Sequence, residues 1–533
     1  MSKKIKMKRH KHHIFKLYLP VLLLFLTINA YTQNKTVNVD FNKTLSGKNL
    51  ITQKELSGID YQFPKKVYHL QVDTSLGIAS IMLRNKDSIT KRHKTKGLFI
   101  VYDLKNKKTL WSSKTNFNRN KIIQSGKHLI YSFVDKSYLI DIETGKEIWK
   151  KPMRVLAISD ERGTGVGYKY LYPGLTNTLR GFSLSNGEPI WEKTLVKEPG
   201  VESVSFIGDT TLYIMASGLH YMNSETGIGW DYKAKTAMVH TEMNAGAILA
   251  GAAFGLIGGA IFIPYTSEFV TGLHSNILED SCSIYFASVD KISRISKKNG
   301  EIMWSKSLPA DQTRKSEIFI IKDLLYIVNF GFGWFSENLL DCGRPYFTAL
   351  DKETGEEFFY NQKMISRLPA LDYVLRGNNI AILFHNMLKL YSLENGELIN
   401  ENKIIPIDSL SLIKICDSTN YVKENERFVN LTERHKENLC IEKVNNDIIV
   451  LDQNMNIQET YVGENIFHLH IIFGGYKFIV NGNKTIILDA DNVPVAEIPA
   501  TKKAVLINKT LFDFDGAVLK EIDLSEVLTN PLP

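Results

Sequence analysis

The chain has 533 residues, with 44% hydrophobic and 23% charged residues and a formal charge of +8. That length suits one large repeat fold or about three ordinary domains, and the composition is that of a globular protein with a buried core. Seven basic residues (Lys3, Lys4, Lys6, Lys8, Arg9, Lys11, Lys16) and no acid lie in the first sixteen positions, so the remainder carries a net charge of +1; a near-neutral body lacks the broad basic surface of a phosphate-backbone binder, and no nucleic-acid partner is expected.

The basic start runs into an apolar stretch at 17–30, LYLPVLLLFLTINA. A charged head, a short apolar run and a small residue near its end predict a secretory signal peptide over 1–30. The run is short for a membrane span; an uncleaved anchor is the competing reading. No cysteine follows it, so the lipid-anchored form of export has no attachment residue. His10, His12 and His13 read as part of the basic head. Residues 31–64 form a lead-in segment.

From about residue 65 a frame recurs: a polar residue, glycine four later, tryptophan eight later. Asp141…Gly145…Trp149, Ser183…Gly187…Trp191 and Ser296…Gly300…Trp304 match fully. Asn223…Gly227…Trp230 has its ring one place early, Asp351…Gly355…Phe359 substitutes another aromatic, and Ser392…Gly396 loses the ring. Asp103…Trp111 has Lys107 in place of glycine, and Asp452 and Asp489 open weaker copies. The openings are spaced 38, 42, 40, 73, 55, 41, 60 and 37 residues apart. Such a frame has a physical reading: the polar side chain accepts from turn N–H groups, glycine supplies a positive φ, and the large rigid ring fills space between neighbouring sheets. A period near forty with about four short strands is one propeller blade. The prediction is an all-β propeller of seven or eight four-stranded blades, eight favoured, over 65–503. Residues 504–533 form a C-terminal segment that closes it.

The frame around Trp149, Trp191 and Trp304 resembles the PQQ-like repeat, shared by quinoprotein dehydrogenases and by the propeller lipoprotein of the bacterial outer-membrane β-barrel assembly machinery. The resemblance implies the fold, and by analogy a role in outer-membrane protein assembly. A PQQ enzyme of that kind has a disulfide between adjacent cysteines, a calcium ion and an aspartate base. This chain has no adjacent cysteines, and its motif acids Asp141 and Asp351 sit at turns. No cofactor, metal or catalytic residue is therefore expected.

Other chemistry is sparse. Gly163-Thr-Gly165-Val-Gly167 lacks the Lys-Ser/Thr of a phosphate loop and reads as a glycine-rich loop or strand edge. His468 and His470 share a strand face, and two ligands alone make a poor metal site. Cys282, Cys342, Cys416 and Cys440 contain no C-x-x-C pair. An oxidising compartment would permit a Cys416–Cys440 disulfide; four buried free thiols are the alternative.

The 73-residue gap holds an insertion at about 236–272. Its segment 245–263 is nineteen residues without a charge, with Gly251, Gly255 and Gly259 four apart. One membrane crossing would divide a closed propeller, leaving three readings: a buried apolar plug or helix, a hairpin dipping into a membrane or docking on a membrane partner, or an extra pair of small-residue strands. Phe254, Leu256, Ile257, Ile261 and Phe262 are its candidate contact residues. Phe330, Phe332, Trp334 and Phe335 form a second aromatic group whose composition suits an interface; a packed loop cap is the other reading, and the one favoured. The reading is a non-catalytic scaffold, exported to the periplasm or peripherally associated with the outer membrane, that binds an envelope protein, with membrane contact through 245–263 as one of the readings of the insertion. The alternatives are a PQQ-dependent or other propeller enzyme with a central-funnel site, and a secreted ligand-binding or adhesion module.

Overall fold

The computed structural model describes residues 37–529 apart from 74, 91, 173, 196–199, 241–247, 250–260, 263–268, 336–337, 362–368, 385–386, 404–413, 417–419, 425–426, 436–437, 444–446, 463–465 and 482–483. The expected signal peptide, 1–30, lies outside the described residues. Among them the chain is nearly all β, and its one α-helix is the four-residue Leu431–Arg434.

The strands fall into four-strand antiparallel meanders in chain order, the arrangement of a β-propeller. Unit 1 is Val67–Asp73, Ile78–Leu83, Lys96–Asp103 and Lys108–Asn116. Units 2, 3 and 4 start at Lys121–Ser125, Met153–Ser159 and Ser203–Ile207. Units 5 to 8 start at Leu278–Glu279, Ser316–Ile321, Ala370–Arg376 and Lys414–Ile415. Unit 9 starts at Ile466–Phe473 and belongs to a nine-stranded sheet that also joins the two ends of the chain. There Val505–Ile507, Thr510–Asp515 and Val518–Asp523 are completed by Glu55–Gln62 as a fourth strand, a closing unit. Asp40–Asn49 pairs with Glu55–Gln62 and, at Lys48 and Asn49, with the last strand of unit 9. The described residues thus form one unit per motif copy plus the closing unit, more than the seven or eight expected. The weak copies at Asp452 and Asp489 each stand at the turn between the third and fourth strands of a full meander.

The motif residues join one unit to the next. Each glycine N–H bonds the carbonyl of the opening residue, at 2.8–2.9 Å, in all six turns that have one. Gly145, Gly187, Gly227, Gly300, Gly355 and Gly396 share φ values of +68° to +73°. The indole Nε1 of each tryptophan donates to the residue after the next unit's opening residue: Trp111 to Ile142 O (2.7 Å), Trp149 to Leu184 O (2.8 Å), Trp191 to Ser224 O (2.9 Å), Trp230 to Lys297 O (3.0 Å) and Trp304 to Lys352 O (3.0 Å). The same rings lie flat on the next unit's glycine. A Cβ on Gly300 would come within 2.6 Å of Trp230, and one on Gly396 within reach of Phe359. Glycine is demanded twice, by backbone conformation and by the neighbouring ring.

Departures from the frame have local causes. Most fourth strands carry a β-bulge just before the ring, as between Glu147 and Trp149, whereas the pairing of Trp230 with Tyr221 continues unbroken into Gly229 and Met222. One residue fewer therefore brings Trp230 to the common place. The Phe359 ring has no N–H, and the carbonyl it leaves, Leu393 O, accepts from Tyr326 Oη at 3.0 Å. Asn400 stands where unit 7 lacks a ring and donates to Asn454 O at 2.8 Å. Lys107 takes the turn conformation at φ +53° despite its Cβ.

A second set of bonds links first strands. Asn276 accepts from Ile318 N (2.8 Å) and donates to Ile318 O (3.0 Å), Asp372 accepts from Ile415 N (3.0 Å), and Ser125 Oγ accepts from Asp160 N (3.0 Å). Between these lines lie apolar clusters, each shared by two neighbouring units. Leu156, Leu179, Trp191, Val204 and Ile214 join units 3 and 4; Tyr61, Val67, Ile81, Tyr102, Phe512 and Leu519 join the closing unit to unit 1. Cys416 and Cys440 form a disulfide at the root of a hairpin inserted in unit 8, with Cα atoms 5.1 Å apart. Cys342 is buried and Cys282 is exposed.

Two outcomes are expected. Gly300→Ala must adopt φ +73° against the Trp230 ring and lowers stability by about 2–4 kcal/mol, read as a fall in the urea midpoint that Lys298→Ala does not show. Replacing Cys416 and Cys440 by serine frees a 24-residue separation and lowers stability by about 3 kcal/mol, with the hairpin at 421–430 becoming more protease-sensitive.

Candidate functional site

Strand direction gives the units two unlike faces. The Gly turns and the first hairpin turns lie on one, the turn face. The second hairpin loops and the links between units lie on the other, the connection face. The insertion at 236–272 links units 4 and 5, and the Phe332–Phe335/Asn338–Asp341 hairpin lies between the second and third strands of unit 6. Both therefore rise on the connection face, where they form one accessory layer.

Its framework is backbone pairing. Met238–Val239 pairs with Phe269–Val270. Thr271 N donates to Trp334 O (2.9 Å) and Trp334 N to Thr271 O (3.0 Å). Ile248–Leu249 adds to Asn338–Asp341, and Ile261–Phe262 pairs with Val204 and Ser203 on the inner edge of unit 4. Val270, Leu273, Val289, Leu340 and Cys342 give the layer its own core, with Met238 and Phe335 packed on it.

The predicted contact residues divide. Phe254, Leu256 and Ile257 lie outside the described residues; Ile261 and Phe262 are placed as strand backbone. Phe330 and Phe332 are each 5% exposed and pack with Ala370, Ile382 and Phe384, sealing unit 6 against unit 7. They are core and not free contact surface, because the neighbouring unit packs over them. Trp334 and Phe335 are half-buried, the latter stacked on His240 at 4.2 Å. The repeat residues Trp111, Trp149 and Trp191 are buried, and Trp230, Trp304 and Phe359 partly so. Gly165 and Gly167 stand in the strand Thr164–Leu171, where a Cβ would strike Phe182 and the Arg154 carbonyl; they serve close packing and cradle no phosphate. The side chains of His468 and His470 lie outside the described residues.

At the root of the layer is a polar cluster that the motifs do not announce. Glu202, 3% exposed, precedes the first strand of unit 4. It accepts from the Thr236 hydroxyl and from Gly272 N (3.0 Å), the two stems of the insertion. His274 Nε2 lies 4.0 Å from Glu202 and is buried without a hydrogen-bond partner among the described residues, while its Nδ1 donates to Ser275 O at 2.7 Å. Burial pushes the Glu202 carboxyl up to about 7 and, with Lys315 nearby, pushes His274 down to about 4. Burial also lowers Lys315 and raises Asp341 to about 6. These groups come from positions 202, 236, 272, 274 and 315, with no spacing a motif could capture. The arrangement clamps the insertion to the units below it.

A pocket between units 5 and 6, lined by Lys306, Pro309, Leu350, Glu357 and Tyr360, holds about 170 Å³. That is below the 300–1,000 Å³ of roughly typical small-molecule sites. Among the described residues, no three His, Cys, Asp or Glu side chains converge as a metal site, and no helix is long and apolar enough to cross a membrane.

The Glu202 clamp has a pH signature. Its folded pKa of about 7 lies above that of an unfolded glutamate, so the clamp's stabilisation is full below about pH 4 and lost as pH rises through 7. Glu202→Gln carries no charge and can meet both partners, its amide oxygen accepting from Gly272 N and its NH2 donating to the Thr236 hydroxyl. Between pH 5 and 8 the variant gains on the parent by about 2–3 kcal/mol, measured as the difference in urea midpoints across that range.

No protein-family model matches the chain, and no curated protein matches it. Solved structures similar to it include BamB from Moraxella catarrhalis, at 11% identity and a TM-score of 0.31, covering 71% of this chain and 96% of that one. A eukaryotic initiation factor matches at 10% identity and a TM-score of 0.32, covering 71% and 87%. The dihydro-heme d1 dehydrogenase NirN matches at 13% identity and a TM-score of 0.29, covering 71% and 76%. At this level of similarity the fold rests on the chain's own sheets and stitches, and these neighbours bring no activity or partner with them.

Proposed function

We propose that the chain is a non-catalytic β-propeller scaffold of the cell envelope, built of PQQ-like repeats, whose ten four-strand units close into one ring. Ring closure is supported by the cluster shared between the closing unit and unit 1 and by Val67 N donating to Gly516 O at 2.8 Å. Export is supported by the basic-then-apolar start and by the Cys416–Cys440 disulfide, which suits an oxidising compartment.

The accessory layer is the observation that carries the scaffold reading. The chain commits a separate apolar core and a buried carboxyl clamp to holding extra backbone on the connection face. It lays Ile261–Phe262 along the inner edge of unit 4, the side from which a central-funnel ligand site would be built. Added surface with its own support suits a protein partner, which recognises shape over a large area. Outer-membrane protein assembly is one setting for such a partner.

The test is affinity purification from detergent extracts of envelope, comparing the intact chain with one lacking 245–263. The scaffold reading expects a specific envelope protein that the deletion loses. Identical recovery by both chains removes the layer from the interface, and an absorbance band of bound PQQ in the pure protein would replace the scaffold with the enzyme reading.

A further inference from the structure

The second hairpin loops of units 1, 2 and 3 share the connection face. That of unit 1 is strongly cationic: positions 84–96 hold Arg84, Lys86, Lys91, Arg92, Lys94 and Lys96 against one acid, Asp87. It is a built hairpin. Lys86 bridges His93, Asp87 N bonds Arg92 O, and Lys94 N bonds Asn85 O, both at 2.8 Å. Arg84 braces the base, its guanidinium 4.7 Å from the Tyr68 ring and its Nε donating to Lys94 O at 2.8 Å. The one carboxylate is spent on the tip, accepting from Ile89 N and Thr90 N at 3.0 Å each.

Those bonds hold Ile89 at the apex, 88% exposed. The matching loop of unit 2 exposes Val134 at 55%, and that of unit 3 exposes Leu171 at 57% and Tyr172 at 92%. Single exposed apolar residues need no explanation. Three neighbouring loops that each raise at least one, on one face and with one of them strongly cationic, do. Lys66, Lys86, Arg92, Lys94, Lys96 and Lys121 form no ion pair among the described residues, and the loop acid of unit 2, Asp135, is met by Lys136 at 3.6 Å. Burial and the cations Arg84, Lys86, Lys503 and Lys66 together hold His93 below its ordinary value, a sign of the positive field there.

We propose that this face rests on an anionic lipid bilayer, with Ile89, Val134, Leu171 and Tyr172 entering the headgroup boundary and the 84–96 hairpin meeting lipid phosphates. Apolar tips flanked by lysine and arginine are the composition of an interfacial anchor. A soluble polyanion would use the lysines and has no use for the tips. The inference adds a partner of different chemistry to the scaffold reading and stands apart from it: loss or recovery of a protein partner leaves it untouched.

The test uses the full chain with Cys282→Ser, carrying Ile89→Cys or Tyr172→Cys labelled with a solvatochromic fluorophore. The label reports its own surroundings, so membrane binding through 17–30 does not mimic the signal. Phosphatidylglycerol–phosphatidylethanolamine vesicles shift both labels to the blue and phosphatidylcholine vesicles do not. A label at Met303→Cys, on an outer strand beside the turn face, stays in water. Reversing Lys86, Arg92 and Lys94 to glutamate weakens the shift at least about tenfold in lipid concentration. Labels at 89 and 172 that stay aqueous on vesicle-bound protein overturn the proposal. So does a triple reversal without effect. Tight binding of inorganic polyphosphate that is indifferent to Ile89→Ser and Tyr172→Ser, without a lipid response, also overturns it and assigns the patch to a soluble polyanion.

Discussion

The structure depends on one contact repeated from unit to unit: an aromatic ring laid on the glycine of the next turn while its indole N–H fills a carbonyl there. Neighbouring sheets diverge toward their outer strands, and the widening gap has to be filled by a large rigid group. A buried indole needs an acceptor, and the turn supplies one at a fixed height. The contact therefore sets spacing and vertical register together. Where the ring is lost its duties are divided: Phe359 keeps the packing while Tyr326 takes the carbonyl, and Asn400 keeps a hydrogen bond without the packing.

The Gly turns of the turn face are occupied in holding the units together, and the large addition described there, the hairpin in the first turn of unit 8, is rooted by the Cys416–Cys440 disulfide. Other additions stand on the opposite face. The insertion, the unit 6 hairpin and the cationic hairpin of unit 1 all rise there, and none breaks a stitch. Glu202 shows how such additions are secured: a buried carboxyl grips both stems of the insertion, and its environment raises its proton affinity.

The repeat was legible in the sequence because the stitch needs two residue types at a fixed interval, and Trp149, Trp191 and Trp304 keep that interval. The number of units was not. Met455 and Asn492 take positive φ without being glycine, so the turns of units 8 and 9 show no Gly signature. The closing unit has no contiguous frame at all, since its fourth strand, Glu55–Gln62, lies more than four hundred residues from the other three. Apolarity likewise marked Phe330 and Phe332 as contact residues; it cannot tell a group covered by another protein from one covered by the chain's own next sheet. Glu202, His274 and Lys315 meet only through the fold.

The pairing of Glu55–Gln62 with Val518–Asp523 has a bearing on biogenesis. Glu55–Gln62 must wait for a strand more than four hundred residues later, and bringing together segments so remote is slow. Until then one edge of Glu55–Gln62 stays unpaired, the kind of surface on which unfinished chains aggregate. A chain stalled or clipped before residue 518 would thus keep every stitch from Trp111 to Trp304 and still lack the sheet that unites its two ends.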